Sequence, residues 1–264
     1  MLDKAELASP IRAGAQIIKK MEIAVLEETG SSNDAAAQML HNGEETPFAV
    51  LVKRQTRGRG RLSRRWFSEE GKILCVSVAA DFADLPSPLV ESATVRVGVA
   101  VCRTLSALCG EKLFVKWPND LYSADGKKIC GMLAELVQIG GAYKIVFGVG
   151  ANYDLSGCEN KMPRDVFEKS ADVLSRLSKK ITFDEFAKVV VEAVGEELAR
   201  RDFSAVEQFG EFDFLRGKKI SVSVGGDTFA GVARGVNGRG NLLLELPDGG
   251  IKTINSGEAT LRSK

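Results

Sequence analysis

The segment from residue 55 to residue 66 carries the side chains best suited to chemistry. It reads Gln-Thr-Arg-Gly-Arg-Gly-Arg-Leu-Ser-Arg-Arg-Trp and contains five arginines. Guanidinium groups bind phosphate and carboxylate through paired donors, and glycines let the backbone approach a ligand closely. Because so many cations in one turn repel each other, the segment predicts an anion-binding loop that is mobile until its ligand arrives.

Two other segments place polar side chains where a ligand could meet them. Lys116-Trp117-Pro118-Asn119-Asp120 follows a short apolar run, and the rigid turn that it predicts would fix the Lys116 ammonium group. Gly30-Ser31-Ser32-Asn33 precedes a predicted helix. Its hydroxyls and amide therefore cap that helix, contact a ligand, or do both.

The counts of histidine and cysteine exclude several kinds of site. His41 is the only histidine, so Ser-His-Asp catalysis and histidine-based zinc sites are excluded, and we expect no metal held by the protein. The five cysteines are odd in number, lack C-x-x-C spacing and lie largely in apolar runs. Buried free thiols of a reducing compartment are therefore expected.

The apolar pattern predicts the elements that position these segments. Strands are expected over 22–26, 47–52, 73–80, 113–115, 132–138 and 143–150, with a hairpin turn at Gly140-Gly141 between the last two. Helices are predicted over 34–40, 89–108 and 183–198, and Thr182 to Glu185 forms a capping box before the last of them. Residues 1–20 form a short lead-in with room for one helix.

The composition changes near Phe212. From Gly217 onward glycine recurs every few residues, and short β-like runs cover 219–224, 228–234, 242–246 and 251–254. This pattern predicts a small barrel of about 50 residues.

Net charge and hydropathy limit the class of partner. The 264-residue chain has 44% hydrophobic residues, 27% charged residues and a formal net charge of +1. A whole molecule so nearly neutral is not designed to bind a polyanion. The N-terminus is charged and lacks a signal-peptide core, and no apolar run reaches membrane-spanning length. We therefore expect a cytosolic protein.

Four motifs together resemble those of the biotin protein ligases. They are Gln55-x-x-Gly58-Arg59-Gly60-Arg61-x-x-Arg64-x-Trp66, Lys116-Trp117-Pro118-Asn119-Asp120-Leu121, Lys128-x-x-Gly131-x-Leu133-x-Glu135 and Gly148-x-Gly150-x-Asn152. Ser31-Ser32-Asn33 stands where that family has a Ser-Thr-Asn turn that contacts biotin. The similarity runs from about Glu22 to the C-terminus, with order and spacing kept.

The resemblance implies a fold and a reaction. The fold is α+β: a mixed β-sheet with helices packed on one side forms a catalytic domain over 21–213, and an SH3-like β-barrel follows over 214–264. Biotin and ATP, with Mg2+ on the phosphates, give biotinyl-5'-AMP and pyrophosphate, and biotin then passes to a lysine of a biotin carboxyl carrier protein. The lead-in leaves no room for a helix-turn-helix domain, so a ligase-only form without DNA binding is expected. A homodimer is compatible with this interpretation, and no membrane partner is expected.

The resemblance also assigns site residues by position. Lys116, Arg59 and Arg61 would be the catalytic cations that offset repulsion between a carboxylate and the α-phosphate. The biotin-binding set is Ser31, Ser32, Asn33, Gln55, Arg59, Gly60, Arg61, Lys116 and Gly131. The ATP-binding set is Gly58, Arg59, Arg61, Arg64, Trp66, Lys116, Asn119 and Asn152. Lys128 is a further candidate cation, Trp66 is either core or an adenine platform, and Asp120 either contacts Mg2+ or anchors the loop.

Two departures and two alternatives belong to this interpretation. Ser63 stands where the family usually has glycine, and Ser32 replaces the commoner threonine. A lipoyl or octanoyl transferase has a related fold, but it lacks the Gly-Arg-Gly-Arg and Lys-Trp-Pro-Asn-Asp segments together. A nucleic-acid or protein-interaction module could use the arginines, but the near-zero net charge and the lack of interleaved aromatic residues count against it.

Overall fold

The computed structural model of the chain describes residues 21–82 and 87–262. The lead-in helix expected within 1–20 and most of the connector before Pro88 lie outside the described residues. The strands are β1 (Glu22–Thr29), β2 (Phe48–Gln55), β3 (Ile73–Asp81), β4 (Phe114–Lys116), β5 (Asp120–Tyr122), β6 (Lys128–Ile139), β7 (Ala142–Asn152), β8 (Lys219–Val224), β9 (Asp227–Val236), β10 (Leu242–Glu245), β11 (Ile251–Ile254) and β12 (Glu258–Leu261). The α-helices are α1 (Ser32–His41), α2 (Ser87–Glu91), α3 (Ala93–Cys109), α4 (Arg164–Phe167), α5 (Phe183–Ala199) and α6 (Ser204–Phe212).

Seven strands form one mixed sheet, in the order β1-β2-β3-β7-β6-β5-β4. β1 pairs with β2 in parallel, and each other neighbouring pair is antiparallel. The central strands β2, β3 and β7 are almost continuously buried, as their unbroken apolar runs require for strands covered on both faces. The predicted α+β class with a mixed sheet is confirmed.

The helices cover both faces of this sheet, so the expectation of helices on one side is wrong. Ala36 and Leu40 of α1 pack against Val50 on one face. On the other face, Phe186 of α5 joins a core with Leu51 of β2 and with α3. Successive side chains of a strand point to opposite faces, and in β2 both sets are apolar, which is why both faces need a cover.

Some element boundaries differ from those predicted. The helix expected over 89–108 breaks at Ser92, whose hydroxyl donates to the Pro88 carbonyl at 2.7 Å. β6 begins at Lys128, so the motif that contains Gly131 lies on a strand. Neither α6 nor β12 was predicted. The capping box at the start of α5 is confirmed, with Thr182 and Glu185 exchanging hydrogen bonds.

The C-terminal part is a five-stranded antiparallel sheet in the order β11-β10-β9-β8-β12, as expected for the small barrel. Its core is continuous with that of the larger sheet, because Val222 and Leu244 belong to the same buried cluster as Val115. All five cysteines are buried and free, as predicted. None of the helices in the described ranges is both long and apolar enough to cross a membrane.

Candidate functional site

The arginine loop, residues 57–65, follows β2 and folds back on itself. The Gly60 N–H donates to the Arg64 carbonyl at 2.7 Å, and the Trp66 N–H donates to the Gly58 carbonyl at 2.9 Å. At its tip Leu62 and Ser63 have φ values of 55° and 58°, a left-handed conformation that costs a residue with a side chain about 1–2 kcal/mol. The glycine usual in the family at position 63 would avoid that cost, so serine makes this tip stiffer and more strained.

The Ser-Ser-Asn turn that begins α1 is buried and faces the end of β2. Ser31 occupies the N-cap position, but its side chain makes no capping hydrogen bond. The Ser32 N–H instead donates to Oε1 of Gln55 at 2.7 Å. The turn therefore fixes one end of the Gln55 amide, and the side-chain hydroxyls are left for other partners.

A polar cluster lies on the sheet beneath this turn. The Ser77 hydroxyl of β3 is 2.8 Å from the Ser32 hydroxyl and 2.6 Å from Oδ1 of Asn33. Nδ2 of Asn33 donates to Glu135 at 2.6 Å and to the Leu133 carbonyl at 3.2 Å. Because buried polar groups need partners, this network sets the orientation of the Asn33 amide. The sequence did not single out Ser77; its signal is a hydroxyl inside the apolar run of β3.

Two glycines of β7 give the cluster its room. A Cβ on Gly148 would lie 2.2 Å from Oδ1 of Asn33, and a Cβ on Gly150 would lie 2.3 Å from the Trp66 indole. Both separations are too short for atoms that are not bonded to each other, so a side chain larger than glycine would clash at either position. Glycine at both positions therefore lets Asn33 and Trp66 lie directly on the strand backbone.

The Trp66 indole lies over the backbones of β6 and β7. A Cβ on Gly131 would come within 3.0 Å of its ring, and the Lys128 ammonium lies 5.3 Å from the ring centroid. Among the described residues Nε1 of Trp66 has no hydrogen-bond partner although it is buried. A buried donor without a partner is costly unless a ligand or water completes it, so this ring belongs to the wall of the site.

Lys116 ends β4 as a half-buried cation. Burial lowers the pKa of Lys116; the Asp120 carboxylate partly opposes this, and Lys128 and Arg64 lower the pKa further. Its ammonium lies 5.1 Å from the Tyr122 ring centroid, and within the described chain it forms no ion pair. A cation in such surroundings gains from any anion that arrives.

Lys128 is held by a carboxylate at the start of β5. Its ammonium lies 2.8 Å from Oδ1 of Asp120, a residue that pairs with Lys116 across one strand and with Gly131 across the next. Asp120 therefore anchors Lys128. In the described part of the chain no group of three or more His, Cys, Asp or Glu side chains could hold a metal ion.

The cations of the arginine loop meet acids and carbonyls of the protein itself. Arg59 lies 2.7 Å from both carboxylate oxygens of Asp34 and 3.3 Å from both of Glu135. Arg64 pairs with Glu258 of β12. These acids are far from the loop along the chain, and they offset the charges of two of its five arginines. The repulsion predicted from the sequence is therefore reduced.

Arg61 joins the loop to two other segments. Its guanidinium donates to the Gly257 carbonyl at 3.1 Å and to Oδ1 of Asn119 at 3.4 Å. Partial burial lowers the pKa of Arg61 below its ordinary value. Arg61 therefore connects the loop, the Lys116 segment and the C-terminal sheet at one point.

The two asparagines assigned to ATP already hold the backbone together. Nδ2 of Asn119 donates to the Met132 carbonyl at 2.7 Å. Nδ2 of Asn152 donates to the Lys128 and Ala171 carbonyls at 3.2 and 3.0 Å. Oδ1 of Asn119 also accepts from Arg61 at 3.4 Å, whereas Oδ1 of Asn152 has no protein partner among the described residues. The roles assigned to both asparagines stay predictions.

The structure thus brings the predicted residues together in two neighbouring groups. One group, around the turn that begins α1, contains Ser31, Ser32, Asn33 and Gln55. The other, around the end of β4, contains Arg61, Arg64, Lys116, Asn119 and Lys128. Trp66 and Gly131 lie between them, and Asp34, Ser77 and Glu135 are the partners that sequence reasoning missed. Glu135 carried a signal, because it closes the third motif at a fixed spacing.

The chain is 30% identical over 271 residues to the bifunctional ligase/repressor BirA of Salmonella typhimurium, an alignment that covers 100% of this chain and 79% of that protein. The chain belongs to the biotin protein ligase family. The pattern of the Biotin/lipoate A/B protein ligase family matches residues 25–152, and that of the Biotin protein ligase C terminal domain matches residues 217–262. The resemblance found in the motifs is confirmed, and the chain is an enzyme of this family.

Other members agree with this assignment. The biotin--[acetyl-CoA-carboxylase] ligase of Mycobacterium tuberculosis is 24% identical over 239 residues, covering 85% of this chain and 84% of that protein. The structure of the biotin protein ligase of Aquifex aeolicus in complex with biotin and ATP superposes with a TM-score of 0.74 at 25% identity, covering 92% of this chain and 99% of that one. The expected fold, with its SH3-like C-terminal part, is confirmed.

Proposed function

We propose that this chain activates biotin with ATP and then transfers biotin to a lysine of a biotin carboxyl carrier protein. In the first step a biotin carboxylate oxygen attacks the α-phosphorus, the bond to the β-phosphate breaks, and pyrophosphate leaves. In the second step the lysine amine attacks the acyl carbon of biotinyl-5'-AMP, loses a proton, and AMP leaves. Both steps need bound anions held close together in a closed site.

The observation that carries this proposal is the group of half-buried cations at the end of β4. Attack of a carboxylate on a phosphate brings two anions together, so preorganised positive charge is the main requirement of the first step. Lys116 has a lowered pKa through burial and through neighbouring Lys128 and Arg64, and Arg61 is partly buried beside it. An incoming phosphate would relieve that mutual repulsion where charge develops in the reaction.

The polar cluster beneath α1 suits the biotin ring. A ureido group has one acceptor oxygen and two N–H donors, and it needs partners of both kinds. Gln55 accepts from the turn through Oε1 and keeps Nε2 as a donor, while Ser31 and Ser32 supply hydroxyls. Gly131 lets the Trp66 ring lie close over the strand backbone, and that ring offers an apolar surface to the biotin ring and tail.

Transfer needs no nucleophile from this chain, because the acceptor supplies its own amine. Cys130 is the cysteine next to Gly131, and its burial raises the pKa of its thiol well above the ordinary value. A thiol kept protonated in this way is not a nucleophile. The proposal therefore involves no acyl-enzyme.

Magnesium enters this proposal as part of the substrate Mg-ATP. Asp120, the acid nearest Lys116, is engaged with Lys128, so the phosphates of ATP would be its main ligands. Formation of a homodimer, the absence of DNA binding and a cytoplasmic location stay expectations.

The test is mass spectrometry under non-denaturing conditions after incubation with biotin and Mg-ATP. We expect a complex heavier than the chain by the mass of biotinyl-5'-AMP, which disappears when biotin is replaced by lipoate or octanoate. A lipoyl or octanoyl transferase would take its acyl group from an already activated donor and would retain no biotinyl-5'-AMP. A binding module would retain no adenylate of either acid, and that result would overturn the proposal.

A further inference from the structure

A groove of about 690 Å³ lies between the helices and the C-terminal sheet, and it shares no lining residue with the candidate site. One wall is α6, and the other is the end of β9 with the turn that follows it. The apolar part of its lining consists of Pro88, Phe203, Val206, Phe209 and Val236. Its size and apolar character are those of a small-molecule site.

The charged side chains of this groove are not all balanced. Arg234 pairs with Glu245, and Arg239 pairs with Glu91 at 2.6 Å. The guanidinium of Arg216 forms neither an ion pair nor a hydrogen bond with any residue that the structure describes. The Asp213 carboxylate is near enough to feel the charge of Arg216 but does not bind its guanidinium. The groove therefore offers one cation that has no direct partner among the described residues.

Two glycines hold this cation between the walls. A Cβ on Gly210 of α6 would lie 2.6 Å from Nη1 of Arg216, and a Cβ on Gly235 of β9 would lie 4.0 Å from the same atom. The guanidinium thus lies against the helix backbone and faces the strand. Glycine inside a helix is less stable than alanine, and at position 210 it leaves the space that the guanidinium occupies.

The ligand chemistry follows from this arrangement. A guanidinium binds a carboxylate through two parallel hydrogen bonds, and the aromatic and aliphatic lining suits an apolar body. A phosphate monoester would bring a second negative charge toward Glu207, an acid of the lining that forms no ion pair within the described ranges. We propose that this groove binds a small carboxylate with an apolar body, its charged end on Arg216 and its body on Phe209 and Val236.

The groove is connected to the candidate site through the turn after β9. The Asn237 side chain accepts from the N–H groups of Arg239 and Asn241, which makes this turn rigid. The Gly240 carbonyl of the same turn accepts a buried hydrogen bond at 3.0 Å from the Trp117 indole, next to Lys116 in the chain. Because this turn is rigid, we expect occupancy of the groove to leave the candidate site unchanged.

The test uses 4-phenylbutyrate as the probe and 4-phenylbutan-1-ol as its uncharged match. Each is titrated calorimetrically into the full chain, with and without saturating biotin. We expect the carboxylate to bind one site at least about tenfold more tightly than the alcohol, since a charge-assisted hydrogen bond contributes this much. Its affinity should be the same with biotin present, because the two sites share no residue.

Four variants distinguish specific binding in the groove from nonspecific binding. Arg216→Gln and Gly210→Ala should each weaken the carboxylate about tenfold, the second while keeping the helix, as its melting temperature will show. Glu207→Gln should tighten binding, and the exposed control Arg164→Gln should leave it unchanged. Equal affinity in Arg216→Gln and the wild type, equal binding of the alcohol, or displacement by biotin would each overturn the proposal.

Discussion

Lys116 is the side chain on which the proposed chemistry depends most. It combines partial burial, a lowered pKa and the lack of an ion pair among the described residues, whereas Arg59 and Arg64 are already neutralised by acids. Lys116 is partly removed from water and has no anionic partner bound to it. Such a cation interacts strongly with the negative charge that develops on the phosphate.

We expect Lys116→Ala to slow adenylate formation by about 2–4 kcal/mol of barrier, or roughly 30-fold to 1000-fold, because removal of one preorganised donor costs about this much. Pyrophosphate release measures the rate. Lys127→Ala, which removes an exposed lysine just before β6, is the matched control and should stay near the wild-type rate. A rate of Lys116→Ala within threefold of wild type would end the assignment.

Glu135 links the turn that begins α1 to the arginine loop, since it accepts from Asn33 and pairs with Arg59. Glu135→Gln keeps an acceptor for Asn33 and loses the charge that attracts Arg59, whereas Glu135→Ala loses both. We expect the alanine variant to weaken biotin binding about tenfold and the glutamine variant by less than about threefold, as the hydrogen bond from Asn33 is the one that orients the turn. Calorimetric titration with biotin measures both, and equal losses would contradict the role given to that bond.

At the scale of elements, the arginine loop is held by contacts that a ligand can replace. Arg61 is its link to the Gly257 carbonyl and to Asn119, while Arg65 is exposed. Arg64 of the loop lies near enough to Lys116 to lower its pKa, so closure of the loop over the bound ligand would keep water away from the reactive mixed anhydride.

We expect Arg61→Gly to lower retention of biotinyl-5'-AMP more than its formation, with escape on the order of tenfold faster because the hydrogen bonds of one charged group are lost. Biotin would then appear on lysines of bystander proteins, detectable by streptavidin blotting. Arg65→Gly removes one cation and adds the same flexibility, so it is the matched control. Protease cleavage of the wild-type loop should also fall when biotin and ATP are added; if it does not, and the variant releases no extra adenylate, the loop is a rigid scaffold.

The contact between α3 and α5 contains a buried ion pair with its own pH dependence. Arg96 donates to the Glu197 backbone carbonyl at 3.0 Å and lies 3.4 Å from its carboxylate. Burial raises the pKa of Glu197 from 4.5 to about 7, and Arg96 and Arg200 oppose that shift only in part. Between pH 4.5 and about 7, Glu197 therefore keeps its proton in the folded state and has lost it in the unfolded state.

Because the folded pKa of Glu197 is the higher one, its contribution to stability is present below pH 4.5 and is lost as the pH rises through 7. We expect the free energy of unfolding of the wild type to fall relative to Glu197→Gln over this window, by up to about 3 kcal/mol. Urea unfolding at a series of pH values measures both proteins. If the free energies of unfolding of the two proteins changed with pH in parallel, Glu197 would be ionised over the whole pH range.

For the whole molecule, the C-terminal sheet is part of the site's support. One buried cluster runs through both sheets, and the turn before β12 meets the arginine loop through Gly257 and Glu258. Removal of the whole C-terminal part would expose that core, so a single change at the contact is the sharper experiment.

We expect Glu258→Gln to raise the KM for ATP up to about fivefold and to leave the affinity for biotin unchanged, because an exposed ion pair of this kind contributes at most about 1 kcal/mol. Glu211→Gln, an exposed acid of α6, is the control. An equal effect on biotin affinity would place the C-terminal sheet in the biotin site itself.

The sequence by itself determined the chemistry and most of the elements. Residue type and short spacing are local information, so the Gly-Arg-Gly-Arg and Lys-Trp-Pro-Asn-Asp segments, the capping box at Thr182 and four of the five C-terminal strands could be read directly. The helix break at Ser92 was not predicted. It involves a hydrogen bond from the Ser92 hydroxyl to the carbonyl four residues before it, and the spacing of apolar residues carries no information about such a bond.

The tertiary structure decided which side chains meet. Glu135 reaches Asn33 across 102 positions of sequence, and Arg64 reaches Glu258 across 194. The first contact follows from the order of the strands in the larger sheet, and the second from the packing of the C-terminal sheet beside it. Both depend on packing of the whole core rather than on any local pattern. For the same reason the acids that neutralise the arginine loop, and the cover of helices on both faces of the sheet, emerged only from the fold.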